Sequence, residues 1–280
     1  MKFKILYFGF LLVSLYSLGQ PRFNVAGDYK GLSAQGIAIY GHEAFLFNHT
    51  GWCRIFNLEQ KKVFRDFPIG SYDKFNHANS ASLGNEKMHQ SKYPVVYVSE
   101  CSRPYRCFVE SINDTASYLV QTISLDRYGE DGVAYNWFVD KKHRSLYSIA
   151  RKQKTSDDGS WTCVHRINRY RLPRLKDGEK IVFSDKDVIE SFDVSFPNLL
   201  QGGCIKGKYL YLPTGLFDTK EDRLDKERAL IIVNIKRQKI EKVVDLAKIT
   251  SNEPEDCDFY KGKLLLYCGQ SGGLYEIPIK

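Results

Sequence analysis

One pattern recurs five times along this chain, and it restricts the fold more than any other feature. Each copy opens on a polar or small residue. A turn-like residue follows about six positions later, and then a short run of alternating aromatic and aliphatic side chains. The copies start at Gln35, Ala78, Asn136, Gln201 and Asp256. They read QGIAIYGHEAFLF, ANSASLGN with its run delayed to VVYV, NWFVDKKHRSLYSI, QGGCIKGKYLYL and DCDFYKGKLLLYC. A period of about fifty residues with several strands per unit is the signature of a β-propeller, in which small sheets surround a central channel. The fold class expected is therefore all-β, a five-bladed propeller.

Residues 1–19 read as an export signal outside that fold. Lys2 and Lys4 form a basic start, Ile5 to Tyr16 is mostly apolar, and Ser17 and Gly19 are small residues placed for cleavage before Gln20. The apolar run is short for a membrane span, and no cysteine follows it to carry a lipid. A secreted or periplasmic protein with one domain over 20–280 is expected, without a stable membrane span. Aromatic residues make up 14% of the chain, mostly Tyr and Phe, which favour strands and supply a core. The formal net charge of +8 falls to +6 without Lys2 and Lys4. That excess is a basic surface, with an anionic polysaccharide or cell surface as the sharper reading, and export argues against a nucleic-acid partner. All seven cysteines follow the signal, at 53, 101, 107, 163, 204, 257 and 268. The expectation is buried free thiols packed between blades, with Cys101–Cys107 the first candidate for a bridge. No Cys/His spacing suggests zinc, and neither a cofactor nor a bound metal is expected.

Along the chain, unit one covers roughly 35–70, unit two 76–126, unit three 134–175 with a weak end, unit four 198–247 and unit five 253–280. Residues 176–197 link units three and four and offer a further strand; half a blade there would make the count six. Unit five ends after three strands, and Phe23 to Lys30 is placed to supply the missing one, closing the ring and covering exposed sheet edges. Arg166, Arg169, Arg171, Arg174 and Lys176 read as an exposed outer strand.

The repeat phase nominates a ring at one channel mouth: Gln35, His77, Asn79, Tyr135, Asn136, Gln201, Glu255 and Asp256. Such polar positions suit a small polar ligand, with Tyr135 as an aromatic wall, or equally a water-filled channel. Glu253-Pro-Glu-Asp-Cys-Asp258 is the densest acidic run, and paired carboxylates at different pKa values suit acid–base chemistry. Its partner would be His77 or Asp140, the latter the one acid on another inner strand. The run lacks regular calcium-loop spacing. No nucleophile elbow and no phosphate loop occur.

In the QG(x)₄G and EDCDFYKGKLLLY units the chain resembles secreted bacterial propellers of five or six blades, and the Ser-Leu-Gly ending before Gln20 is similar to exported proteins of Bacteroides-type bacteria. Five-bladed glycosidases of the arabinanase type place carboxylates on several inner strands, where this chain has Gln35 and Gln201. The reading is an exported propeller that binds a polar ligand, a carbohydrate first. The alternatives are a glycoside hydrolase or lyase and a protein-interaction scaffold, so enzyme and binder both stand open.

Overall fold

The structure is a computed structural model that describes residues 19, 21–24, 34–73, 78–89, 91–100, 104–126, 136–155, 161–216, 227–269 and 273–279. Five sheets stand in a ring, so the five-bladed propeller read from the repeats is the fold. The first strand, β1 (Phe23–Asn24), belongs to the last blade and is treated with it below. Blade one follows as β2 (Ala34–Tyr40), β3 (Glu43–Asn48), β4 (Trp52–Asn57) and β5 (Lys62–Pro68). Blade two is β6 (Ala78–Leu83), β7 (Val96–Glu100), β8 (Cys107–Ile112) and β9 (Ser117–Leu125). Blade three starts with β10 (Asn136–Asp140), β11 (Ser145–Thr155) and β12 (Trp161–Arg171).

The link after β12 does not form half a blade. It passes outward, where β13 (Lys180–Phe183) pairs in parallel with β9 as a fifth strand of blade two. Gln121 holds the crossing by donating its amide to the carbonyls of Arg174 and Gly178. The chain then returns as β14 (Glu190–Ser195), the antiparallel outer strand of blade three. The weak end of unit three is thus completed from the link, and the ring has five blades and not six. The basic stripe of unit three faces acids on these excursions: Arg166 pairs with Asp193, Arg169 with Glu190, and Arg171 and Arg174 with Asp177.

Blade four is β15 (Cys204–Lys206), β16 (Tyr209–Thr214), β17 (Ala229–Asn234) and β18 (Lys239–Asp245). Blade five contributes β19 (Pro254–Tyr260), β20 (Lys263–Cys268) and β21 (Gly273–Ile277), and β1 is its outer, antiparallel fourth strand. Phe23 pairs with Leu274 and Asn24 with Gly273. The N-terminal strand therefore closes the ring as expected, using the start of the 23–30 segment.

The inner strands β2, β6, β10, β15 and β19 each contact the next, and β19 contacts β2. Middle strands lie between neighbouring blades and are apolar on both sides; Ala44 to Phe47 of β3 are all fully buried. Outer strands face water on one side, and β5 is exposed at every residue except Phe67. The core is correspondingly five interblade clusters rather than one central mass. Turns from the first to the second strand of a blade use glycine where the backbone is left-handed, as at Gly207 (φ +65) and Gly262 (φ +81). Among the described residues no helix is long and apolar enough to cross a membrane. Cys53, Cys107, Cys163, Cys204, Cys257 and Cys268 are buried free thiols, so Cys107 takes part in no bridge; Cys101 lies outside the described residues.

Phe23 packs edge-on against Phe56, with ring centroids 6.2 Å apart, in the cluster between blades five and one. It joins the two ends of the chain's ring through one buried side chain. Phe23→Ala should lower unfolding stability by about 3 kcal/mol or more, the usual cost of emptying a buried aromatic site. Urea unfolding checks the value.

Candidate functional site

The strand starts nominated by the repeat do converge. Asp256, fully buried, occupies the middle. Its Oδ2 accepts the backbone N–H of Ile37 at 2.8 Å and of Ala81 at 3.0 Å. Its Oδ1 accepts the N–H of Gly203 at 2.6 Å and of Cys257 at 2.9 Å. One side chain thus binds the inner strands, or their entry, of blades one, two, four and five.

Local sequence makes this geometry available. The registers of β2 with β3, β6 with β7 and β19 with β20 slip at the same place, between Ala34 and Ile37, Ala78 and Ala81, and Pro254 and Asp256. A bulge turns backbone N–H groups away from the ladder, and those of Ile37 and Ala81 point to Asp256 instead. Space is made by small residues at the positions equivalent to Asp256. A Cβ on Gly202 would lie 2.5 Å from Asp256 Oδ1, and one on Gly36 3.1 Å from the Ser80 backbone. The glycines of the QG pair are therefore required by close approach to the channel axis.

The third blade joins through amides. Asn79 donates to the Asn136 carbonyl oxygen at 2.7 Å and to the Gln201 backbone carbonyl at 3.0 Å. Asn136 donates a short hydrogen bond to the same Gln201 carbonyl. Gln201 in turn donates to the Gly215 carbonyl at 2.9 Å and to Glu253 Oε1 at 2.7 Å. Gln35 is buried on β2, next to Gly36 in the chain. Asn79, Asn136, Gln201 and Asp256 are thus brought together and bonded to one another and to backbone. His77 and Tyr135 lie outside the described residues. Asp140 does not join the group. It ends β10, about 13 Å along the strand from Asn136, and caps the next turn by accepting from Lys142 N, His143 N and His143 Nδ1. A carboxylate pair between Asp140 and the Glu255 end of the channel is not assembled.

Glu255 and Glu253 adjoin the network. Glu255 is the extra residue of the β19 bulge and is buried, with its carboxyl against Gly269. Burial pushes its pKa well up, helped by the neighbouring acids Glu253 and Asp256. Glu253 is half-buried and was outside the residues nominated from the repeat; its link to Gln201 appears only in three dimensions. Burial also pushes the Asp256 carboxyl up, against the pull of its four N–H donors. Farther down β19, half-buried Asp258 accepts the N–H groups of Phe259 and Ile39, each at 2.7 Å. Burial raises its pKa to about 6, and nearby Lys141 and Lys206 limit the rise. Among the described residues no group of three His, Cys, Asp or Glu is arranged to hold a metal ion.

The fold defines the chain as a five-bladed β-propeller. No family model matches it. Among solved structures it is similar to the glutaminyl cyclase of Myxococcus xanthus, at 14% identity and a TM-score of 0.51, over 88% of this chain and 89% of that one. It also aligns with the computationally designed protein Ika8, at 7% identity and a TM-score of 0.37, over 89% of this chain and 96% of that one. At these identities the likeness to the cyclase is one of fold.

Two outcomes follow from the channel chemistry. Asp256→Asn turns one acceptor oxygen into an NH₂ facing two backbone donors, and should destabilise the protein by about 2–5 kcal/mol, measured by urea unfolding. Glu255 sets a slope with pH. A carboxyl whose native pKa is raised contributes fully below its unfolded value, about 4.3, and that contribution is lost as pH rises toward the native value. Glu255→Gln removes the slope, so the variant should gain stability relative to the wild type as pH rises above about 4. Asp258 adds a loss of its own as pH rises to about 6.

Proposed function

We propose that this propeller is an exported binding protein for a small polar ligand, a carbohydrate first among the classes, taken at the channel mouth beside Glu253 and Glu255. The observation that carries the reading is the pair itself. Burial and the neighbouring acids push the Glu255 pKa well up, and in its protonated form this carboxyl offers one hydroxyl donor as well as an acceptor. Half-buried Glu253 spends Oε1 on Gln201. A donor and an acceptor at a channel mouth would match ligand hydroxyl or amide groups. The hydrogen bonds of Asn79, Asn136, Gln201 and Asp256 support a preformed floor beneath such a ligand, and Gln35 enters the proposal from its place on β2. His77 and Tyr135 enter the proposal as mouth residues from their sequence positions alone.

A second reading is favoured by the same carboxyl. A glutamic acid whose pKa is pushed up by burial is suited to general acid catalysis, and one solved structure of similar fold is an enzyme, a glutaminyl cyclase. Under this reading Glu255 transfers a proton in the reaction, on a glycan or on an N-terminal glutaminyl peptide. Scaffold binding through blade edges is the third reading.

A thermal-shift screen of the protein against glycans, with and without calcium, separates the three. Binding predicts a saturable rise in melting temperature, about 2.7 kcal/mol of stabilisation at a hundredfold excess over Kd, that shrinks in Glu255→Gln and Glu253→Gln. Turnover predicts product from a glycan or from an N-terminal glutaminyl peptide, falling by about 100-fold or more in Glu255→Gln. No shift and no product across the panel would sink both readings and leave the scaffold.

A further inference from the structure

Several turns at one end of the channel are rich in cations. In each blade the first-to-second and third-to-fourth strand turns emerge at the end of the channel opposite the Asp256 network, because successive strands are antiparallel. Four such turns, 141–144, 206–208, 236–239 and 261–263, read KKHR, KGK, KRQK and KGK. They hold ten Lys and Arg, all exposed, and no acid. The corresponding third-to-fourth turns of blades one and two carry the acids Glu59 and Asp114, so the positive charge gathers over blades three to five. Some of it is met by neighbours: Lys261 by Glu59, Lys263 by Glu276 and Arg237 by Glu241. Lys142 and Lys208 form no ion pair among the described residues, and Lys206 is near enough to Asp258 to act on its carboxyl without a direct ion pair. Lys206 instead lies 3.8 Å from the Phe259 ring centroid, and Lys208 5.2 Å from that of Tyr209.

We propose that this face docks an acidic polysaccharide. The cations come from three different blades around the channel exit, a spacing that suits repeated charges on an extended chain rather than one anion. Eight of the ten are lysines, hydrated point charges that accept carboxylate or sulfate in any orientation, whereas phosphate-diester readers favour the arginine fork. Phe259 and Tyr209 place aromatic rings beside the lysines, and sugar rings stack on such faces. None of the exposed large apolar residues among those described lies in these turns, so the turns lack the wedge that an interfacial membrane anchor uses. The surface is separate from the Glu253–Glu255 mouth, and its occupant need not be that site's ligand.

The test measures binding of the protein to heparin and to polygalacturonate by titration calorimetry at low and high salt. Duplex DNA and phosphatidylglycerol vesicles serve as rival polyanions. Affinity for at least one polysaccharide should exceed that for both rivals and fall steeply with salt. The triple variant Lys142→Glu, Lys206→Glu, Lys208→Glu should lose it by more than about tenfold, with an unchanged melting temperature showing that it folds. Lys248→Glu, toward the Asp256 end, should stay within about twofold of the wild type. Equal binding by the triple variant, no polysaccharide binding, or tighter binding of DNA or vesicles would each overturn the assignment.

Discussion

The Asp256 carboxylate accepts four backbone N–H groups where the inner strands of the ring meet. A buried carboxyl is costly unless its oxygens are satisfied, and a buried N–H is costly unless it has an acceptor. Here the two demands cancel. Bulges free the N–H groups, glycines open the space, and one side chain collects them. A propeller has no single central core, since its apolar clusters lie between blades. Its axis is the one place where all blades could be tied together, and this chain uses polar groups there.

The ring has a second dependence, at its seam. Interblade clusters stabilise neighbours only, so an open ring would leave two blades with one uncovered flank. β1 covers the outer edge of β21, and Phe23 enters the cluster between the last and first blades. The parallel strand β13 covers the edge of β9 in the same way. Exposed edges are liabilities in sheet proteins, and the chain spends short stray segments on hiding them. With seam and axis fixed, the two ends of the channel are free to differ: one carries buried acids and amides, the other a field of lysines.

Much of this was legible in the sequence because it is periodic. Alternation, glycine turns and the fifty-residue spacing gave strand order, blade number and the closing segment, and the phase of the repeat brought Asn79, Asn136, Gln201 and Asp256 to one place. What repeats do not encode is partnership. Asp256 is one acid among several in its run, and nothing local says that it accepts from Ile37, Ala81 and Gly203, each far away in the chain. Residues 176–197 break the period, and their split between blades two and three depends on Gln121 and on arginines meeting Asp193 and Glu190 across space. Asp140 shared an inner strand with the site yet stands at its other end, because a position on a strand fixes depth as well as side. The basic turns were visible as scattered charge and became a face only once the strands were folded.

Native-state hydrogen exchange followed residue by residue tests the axial claim most directly. If Asp256 ties the ring together, the amides of Ile37, Ala81 and Gly203, in three different blades, exchange only through global unfolding and share one opening free energy. Exchange of any one of them through a local opening, well below the global value and independent of the other two, would contradict the account.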